Sequence, residues 1–314
     1  MKAWIDTDGG VDDALALACA CADPAIELAG ITTVFGNVAP RKAARNAALV
    51  QSFFEPPHVS ISVGAVAPLI GNWRDARIIH GEDGLGGASS DHLLGYEAGL
   101  VQEDGPERSA ARLAGFAREA GAGGTIICIG PVTNLAIALR DHPGAFVALG
   151  QVICMGGAFS IPVSRRHTAG EFNFGSDLAA LRGLLTAAPN LTIIPLDTCR
   201  KVVLRRARLT RIAEASETPL ARFLQRAHNH YMDAYRASDG IDGCFPHDAL
   251  AIAALSRPEI FRFETRQLEH DPSGGFAGLL RRSDDGRPVR VAVDIDQRAA
   301  LNWIEACICR PAAH

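Results

Sequence analysis

Four aspartates, Asp6, Asp8, Asp12 and Asp13, fall within eight positions of the stretch IDTDGGVDDALALA (5–18), where an apolar run becomes a helical period. Aspartate caps helix N-termini and complements the helix dipole, which accounts for one or two of the four. Four carboxylates held together repel one another, so either some are protonated or a cation sits among them. Oxygen ligands of this kind favour calcium or magnesium over zinc. The loop is not an EF-hand, because Leu17 stands where the twelfth-position glutamate belongs.

The elements that must position this cluster are short apolar runs alternating with helical periods. Residues 3–5, 27–34, 59–63, 125–129, 151–155 and 191–195 read as strands, and 12–21 and 40–53 as helices. Strands separated by helices need crossover connections, so the expected fold is α/β, with a mainly parallel central sheet covered by helices on both faces. Ligands bind at the carboxyl ends of strands in such sheets. Five polar clusters fall at those ends or open a helix: DTDGGVDD, TTVFGNV, IGPVTN, MGGAFS and the PHD of 246–248. Their convergence on one rim is expected.

Composition narrows the function. The chain has 314 residues, 48% hydrophobic and 21% charged, enough for a substantial core. No repeat or linker divides it, so 1–314 reads as a single domain. A net charge of −4 and scattered arginines argue against nucleic acid as a partner. No basic-then-apolar leader opens the chain and no apolar run is long enough for a membrane span, which makes the cytoplasm the expected location and a membrane an unexpected partner. The eight cysteines lack zinc-site spacing and lie mostly in apolar stretches, so they read as reduced core thiols.

A D-x-D after an apolar strand also occurs in haloacid-dehalogenase-type phosphatases. That reading needs a downstream lysine and a late acidic pair after a strand. The chain offers only Lys2, Lys42 and Lys201, and Asp284 and Asp285 follow LLRRS in a turn-like region. The chain instead resembles the inosine/uridine-type nucleoside hydrolases. Their signature D-x-D-P-G-x-D-D is here DTDGGVDD, with Gly9 in place of proline. TTVFGNV (32–38), HGEDGLGG (80–87), GPVTNLA (130–136), MGGAF (155–159), EFNFGSD (171–177), PLDTC (195–199) and FPHDALA (245–251) follow in family order, up to the late strand VRVAVDID.

The resemblance implies a single Rossmann-like domain, a bound calcium ion and hydrolysis of the N-glycosidic bond of ribonucleosides. It implies that Asp8 is both calcium ligand and general base, that Asp13 and Asp248 are further ligands, and that the Ile129 carbonyl is another. Asp12, Asn37, Glu171 and Asn173 would hold the ribose hydroxyls, with Asp12 also near the metal and Asp6 supporting the loop. Met155 joins the substrate-binding set. His247, beside Asp248, is the natural proton donor to the departing base, since histidine titrates near neutrality. His80 would line the base pocket. Family members assemble as homodimers or homotetramers, so a homo-oligomer is expected.

Tyr231 and Tyr235 stand i, i+4 on an expected helix and face one direction. Such a pair commonly packs in a core. In family members that accept purines as well as pyrimidines tyrosines stand here, which implies turnover of inosine and uridine. Two departures from the family pattern remain. Between MGG and EFN the chain reads SIPVSRRHTAGEFN, with Arg165 where relatives carry an asparagine that contacts the ribose 5′-hydroxyl. That segment is either a solvent-facing basic turn or a site for an anionic 5′ substituent, since guanidinium chelates phosphate; a modified or 5′-substituted nucleoside and a non-catalytic nucleoside-binding role are the alternatives kept open. Gly9 is expected to leave its loop more flexible than proline would.

Overall fold

The computed structural model describes residues 1–91, 99–160, 170–272 and 275–310. Arg165 and its neighbours Arg166 and His167 lie outside the described residues. The first half of the chain alternates strands and helices: β1 (Lys2–Thr7), α1 (Val11–Ala22), β2 (Glu27–Thr33), α2 (Pro40–Gln51), β3 (Ile61–Val63), β4 (Val101–Gln102), β5 (Gly124–Cys128) and β6 (Gln151–Met155). After β7 (Leu191–Ile194), β8 (Leu204–Arg205) and β9 (Gly243–Cys244) form a separate two-stranded ribbon, and β10 (Phe261–His270), β11 (Leu280–Arg282) and β12 (Arg287–Ile295) complete the strands.

Ten strands form one sheet in the order β11-β10-β12-β7-β6-β5-β1-β2-β3-β4. β1 pairs parallel with both β2 and β5, and the parallel pairing runs from β4 to β12; only β10 runs against its neighbours β12 and β11. The chain winds outward from β1 through β2, β3 and β4, then returns to β1's other side with β5, β6 and β7. The crevice between β1 and β5 is therefore the topological switch point, where open α/β sheets bind ligands. The pairing of the two strands extends to a bond from the Ile129 amide to the Asp6 carbonyl (2.8 Å).

Helices cover both faces, as the alternation required. One apolar cluster holds α1, α2 and the C-terminal helices against one face; the other packs the Gly105–Ala120, Thr133–Asp141 and Leu178–Ala187 helices on the opposite face. α1 reads VDDALALACACA and all but Cys21 are buried. A helix buried all round needs small side chains to fit between sheet and neighbours, and its alanines supply them. All eight cysteines are free thiols, six of them buried. Among the described residues no helix is long and apolar enough to cross a membrane.

Candidate active site

β1 ends at Thr7, and the chain turns through Asp8, Gly9 and Gly10 into α1, so the aspartates flank one tight turn. Gly9 has φ +73°, and a Cβ there would lie 2.4 Å from Ala43 Cα. Proline, fixed near −65°, cannot adopt that conformation. Glycine at this position therefore allows a conformation that proline would not. Gly36 clears space in the same way, since a Cβ on it would lie 1.9 Å from Asp8 Oδ2.

The aspartates have different surroundings. Asp6 Oδ1 accepts from Thr32 Oγ1 (2.6 Å) and Asn134 Nδ2 (2.9 Å), and burial pushes its carboxyl up to about 7 against the pull of both donors. Asn37 grips Asp8 twice, its amide on Oδ2 (2.8 Å) and its Nδ2 on Oδ1 (2.9 Å). Asp13 collects four donors: Thr7 Oγ1 (2.5 Å), the Asp8 amide (3.1 Å), the Gly10 amide (2.8 Å) and Asn37 Nδ2 (3.1 Å). The Gly10 bond is the N3-to-N-cap half of a capping box, so Asp13 builds the turn as well as charging it.

Asp248 arrives from the opposite direction, in the first turn of the His247–Ser256 helix. Asp12, Asp13 and Asp248 offer oxygens within 4.8 Å of one another, all buried. Asp8 lies against Asp13, outside that group of three. Burial, then the charge of Asp13, holds the Asp8 carboxyl well above the usual carboxylate range; burial, then Asp12, Asp13 and Asp8, does the same to Asp248. A hard divalent cation relieves both burial and repulsion, so the donor set fits such an ion.

A cavity of about 140 Å³ opens above the cluster. Its wall includes Asp12, Asn37, His80, Ile129, Met155, Glu171, Asn173, Tyr231, Tyr235, His247 and Asp248, while Asp8 and Asp13 sit behind it with no exposed surface. The Glu171 carboxylate accepts from the amides of Gly157 (2.7 Å), Asn173 (2.9 Å) and Phe174 (2.9 Å), and burial raises its pKa. Asn173 Nδ2 bridges the carbonyls of Ile129 and Met155, at 3.1 Å each, and so ties the ends of β5 and β6.

At the other end the tyrosines are more than core packing. Tyr231 donates to Asp12 Oδ2 (3.0 Å), the two hydroxyls stand 3.4 Å apart, and Tyr235 OH meets His247 Nε2 at 2.9 Å. The Val11 amide donates to His80 Nδ1 (3.0 Å), which leaves the proton of the neutral ring on Nε2. The His80 ring also packs on Tyr231, with centroids 4.8 Å apart. Ala76 and Gly170 add backbone to the wall, and Ile79, Phe172 and Leu196 add side chains that were not singled out from the sequence. Each adjoins a motif residue, and that adjacency is the signal that would have found them.

The site is thus a switch-point cavity with a buried carboxylate cluster, lined also by His80 and His247. The chain belongs to the inosine-uridine preferring nucleoside hydrolase family, whose model matches residues 3–302. It is 30% identical to the probable uridine nucleosidase 1 of Oryza sativa subsp. japonica over 99% of this chain and 97% of that one. The non-specific ribonucleoside hydrolase RihC of Escherichia coli is 29% identical over 96% of each. Among solved structures, a purine-preferring ribonucleoside hydrolase from Gardnerella vaginalis superposes with a TM-score of 0.88 at 25% identity, over 98% of both chains. The plant nucleoside hydrolase PpNRh1 gives 0.88 at 26%, over 99% of both. The family activity is hydrolysis of the N-glycosidic bond of ribonucleosides.

Proposed function

We propose that this chain hydrolyses purine and pyrimidine ribonucleosides, inosine and uridine among them, as a calcium-dependent cytoplasmic homodimer or homotetramer. The observation that carries the reading is the row Asp12, Tyr231, Tyr235 and His247, which spans one cavity from the carboxylate cluster to a titratable donor. Asp8, Asp13, Asp248 and the Ile129 carbonyl would hold calcium, with Asp12 beside them. When bound, the ion supplies Lewis acidity and fixed positive charge beside the ribose.

The remaining chemistry belongs to the chain. Asp8 takes the proton of the water whose oxygen attacks C1′. The C1′–N bond breaks with its electron pair on the base, and His247 gives that base a proton. Positive charge develops on the ribose during cleavage, and the carboxylate of Asp12 would offset it. Asn37, Glu171 and Asn173 hold the ribose hydroxyls with Asp12; Glu171 Oε2 already accepts from the Gly157 and Phe174 amides, so Oε1 is the oxygen that would meet a hydroxyl. His80, Met155, Tyr231 and Tyr235 flank the base, His80 through Nε2–H.

The test is release of free base from inosine, adenosine, guanosine, uridine, cytidine and inosine 5′-monophosphate, with calcium and after exhaustive chelation. Calcium-dependent release from inosine and uridine is the expected result. Release from the monophosphate alone would assign Arg165 to an anionic 5′ group. No release from any of them by protein that holds calcium would replace hydrolysis with a binding role.

A further inference from the structure

The turn that carries Asp8 and the loop that follows His80 are joined behind the cavity by one side chain. Asn46 lies on α2, is 3% exposed and takes no part in the cavity wall. Its Nδ2 donates to the Gly9 carbonyl (2.8 Å) and to the Asp83 carbonyl (2.9 Å). One turn earlier on the same helix face, Lys42 Nζ donates to the Glu82 carbonyl (2.5 Å), so α2 grips two successive carbonyls of the His80 loop.

The bond to Gly9 has a consequence for the cluster. The Gly9–Gly10 peptide presents its carbonyl to Asn46 and its N–H to Asp13 Oδ2 (2.8 Å). A peptide between two glycines meets no Cβ that resists its rotation. Its orientation, and with it the donor aimed at Asp13, is therefore fixed by what holds its oxygen. The joint is tight: a Cβ on Gly84, at φ +80°, would lie 2.8 Å from both Asn46 Nδ2 and the Gly9 oxygen.

We infer that Asn46 is a positioning residue, locking the Gly9–Gly10 peptide so that its N–H holds Asp13 and tying that turn to the loop that follows His80. The inference rests on the functional reading above only for what Asp13 binds; the joint itself is a property of the loops.

Hydrogen–deuterium exchange of the whole protein, together with calorimetric titration of calcium, tests it. Asn46→Ala should raise deuterium uptake over 8–13 and 81–89 together, leave 124–128 protected, and weaken calcium binding at least about tenfold. Gly84→Ala breaks the same joint from the other loop and should reproduce the pattern, which decides the matter even if Asn46→Ala does not fold. Asn46→Asp keeps the size and reach of the side chain but replaces the donor with an acceptor, so it should weaken calcium binding at least as much as alanine. Uptake that rises in one loop only, or throughout the chain, or an aspartate variant that binds calcium like the wild type, overturns the assignment. A wild type that binds calcium yet releases no base defeats the functional reading, while the exchange and calcium results still decide the role of Asn46.

Discussion

The two ends of the cavity are built in different proportions. At the carboxylate end, backbone amides and glycines share the positioning with two side chains: Asp13 is held by the amides of Asp8 and Gly10 and by Thr7 and Asn37, Asp8 by the amide and Nδ2 of Asn37, and a Cβ on Gly36 would collide with Asp8. At the proposed base end, side chains mostly hold one another, from Tyr231 to Tyr235 to His247 on two helices, and His80 takes the Val11 amide. Geometry fixed by backbone leaves little room for substitution. Geometry fixed by side chains can be retuned one residue at a time. On the proposed reaction, the first end would hold the reacting atoms and the second would choose the base.

The largest effect is expected where that contrast is sharpest. Asp8→Asn removes the proton acceptor and should lower kcat/KM for every nucleoside by roughly 10³-fold, the scale of a lost general base. His247→Gln removes the donor at the other end and should cost roughly 10²-fold. Steady-state kinetics on inosine and uridine reads both. Equal losses in the two variants, or an Asp8→Asn loss confined to one base, would break the division of labour between the ends. Next come Tyr231→Phe and Tyr235→Phe, which keep the ring stacking and delete one hydroxyl each. They should change the inosine-to-uridine ratio of kcat/KM by about threefold to tenfold, the worth of about one hydrogen bond. An unchanged ratio removes both tyrosines from base selection.

What was legible in the sequence follows the same contrast. The aspartate turn, the switch-point sheet and α1 were readable because they depend on residue type and periodicity, and the expected strands at 151–155 and 27–34 match β6 and β2 to within a residue. β10 was not read: FRFETRQLEH alternates, but arginine and glutamate on its exposed side hide a strand among surface charge. Asn46 and Asn134 were invisible for another reason. Their partners lie 37 and 128 positions away, at Gly9 and Asp6, and a lone asparagine in a helical period has no pattern that announces a distant carbonyl or carboxylate. At Gly9 the substitution was visible but not its meaning, because neither the positive φ nor the close approach of Ala43 to the turn can be read from the sequence.

The smallest expected effect on catalysis sharpens the comparison from beneath the base end. His228 lies fully buried in the Pro219–Asp239 helix, edge-on to Tyr231, with Nδ1 donating to the Leu224 carbonyl (2.7 Å). Burial pushes its pKa down to about 4. An unfolded chain binds that proton from about pH 6.5 downward, while the folded protein resists it until about 4. Stability is therefore fully present above pH 6.5, declines as the pH falls through that window, and loses no more from this group below 4. The loss at the acid end is about 3 kcal/mol, from about 2.5 pH units at 1.36 kcal/mol each. His228→Gln keeps a donor for Leu224 but does not titrate, so the difference in unfolding free energy between wild type and variant should shift by that amount between pH 7 and pH 4. Denaturant melts at the two pH values measure it. At pH 7 the variant should keep kcat/KM within about twofold, because His228 supports the helix and does not line the cavity. A large activity loss at neutral pH would mean that the base end depends on its supporting layer as strictly as the carboxylate end depends on its backbone, and the contrast between the two ends would fail.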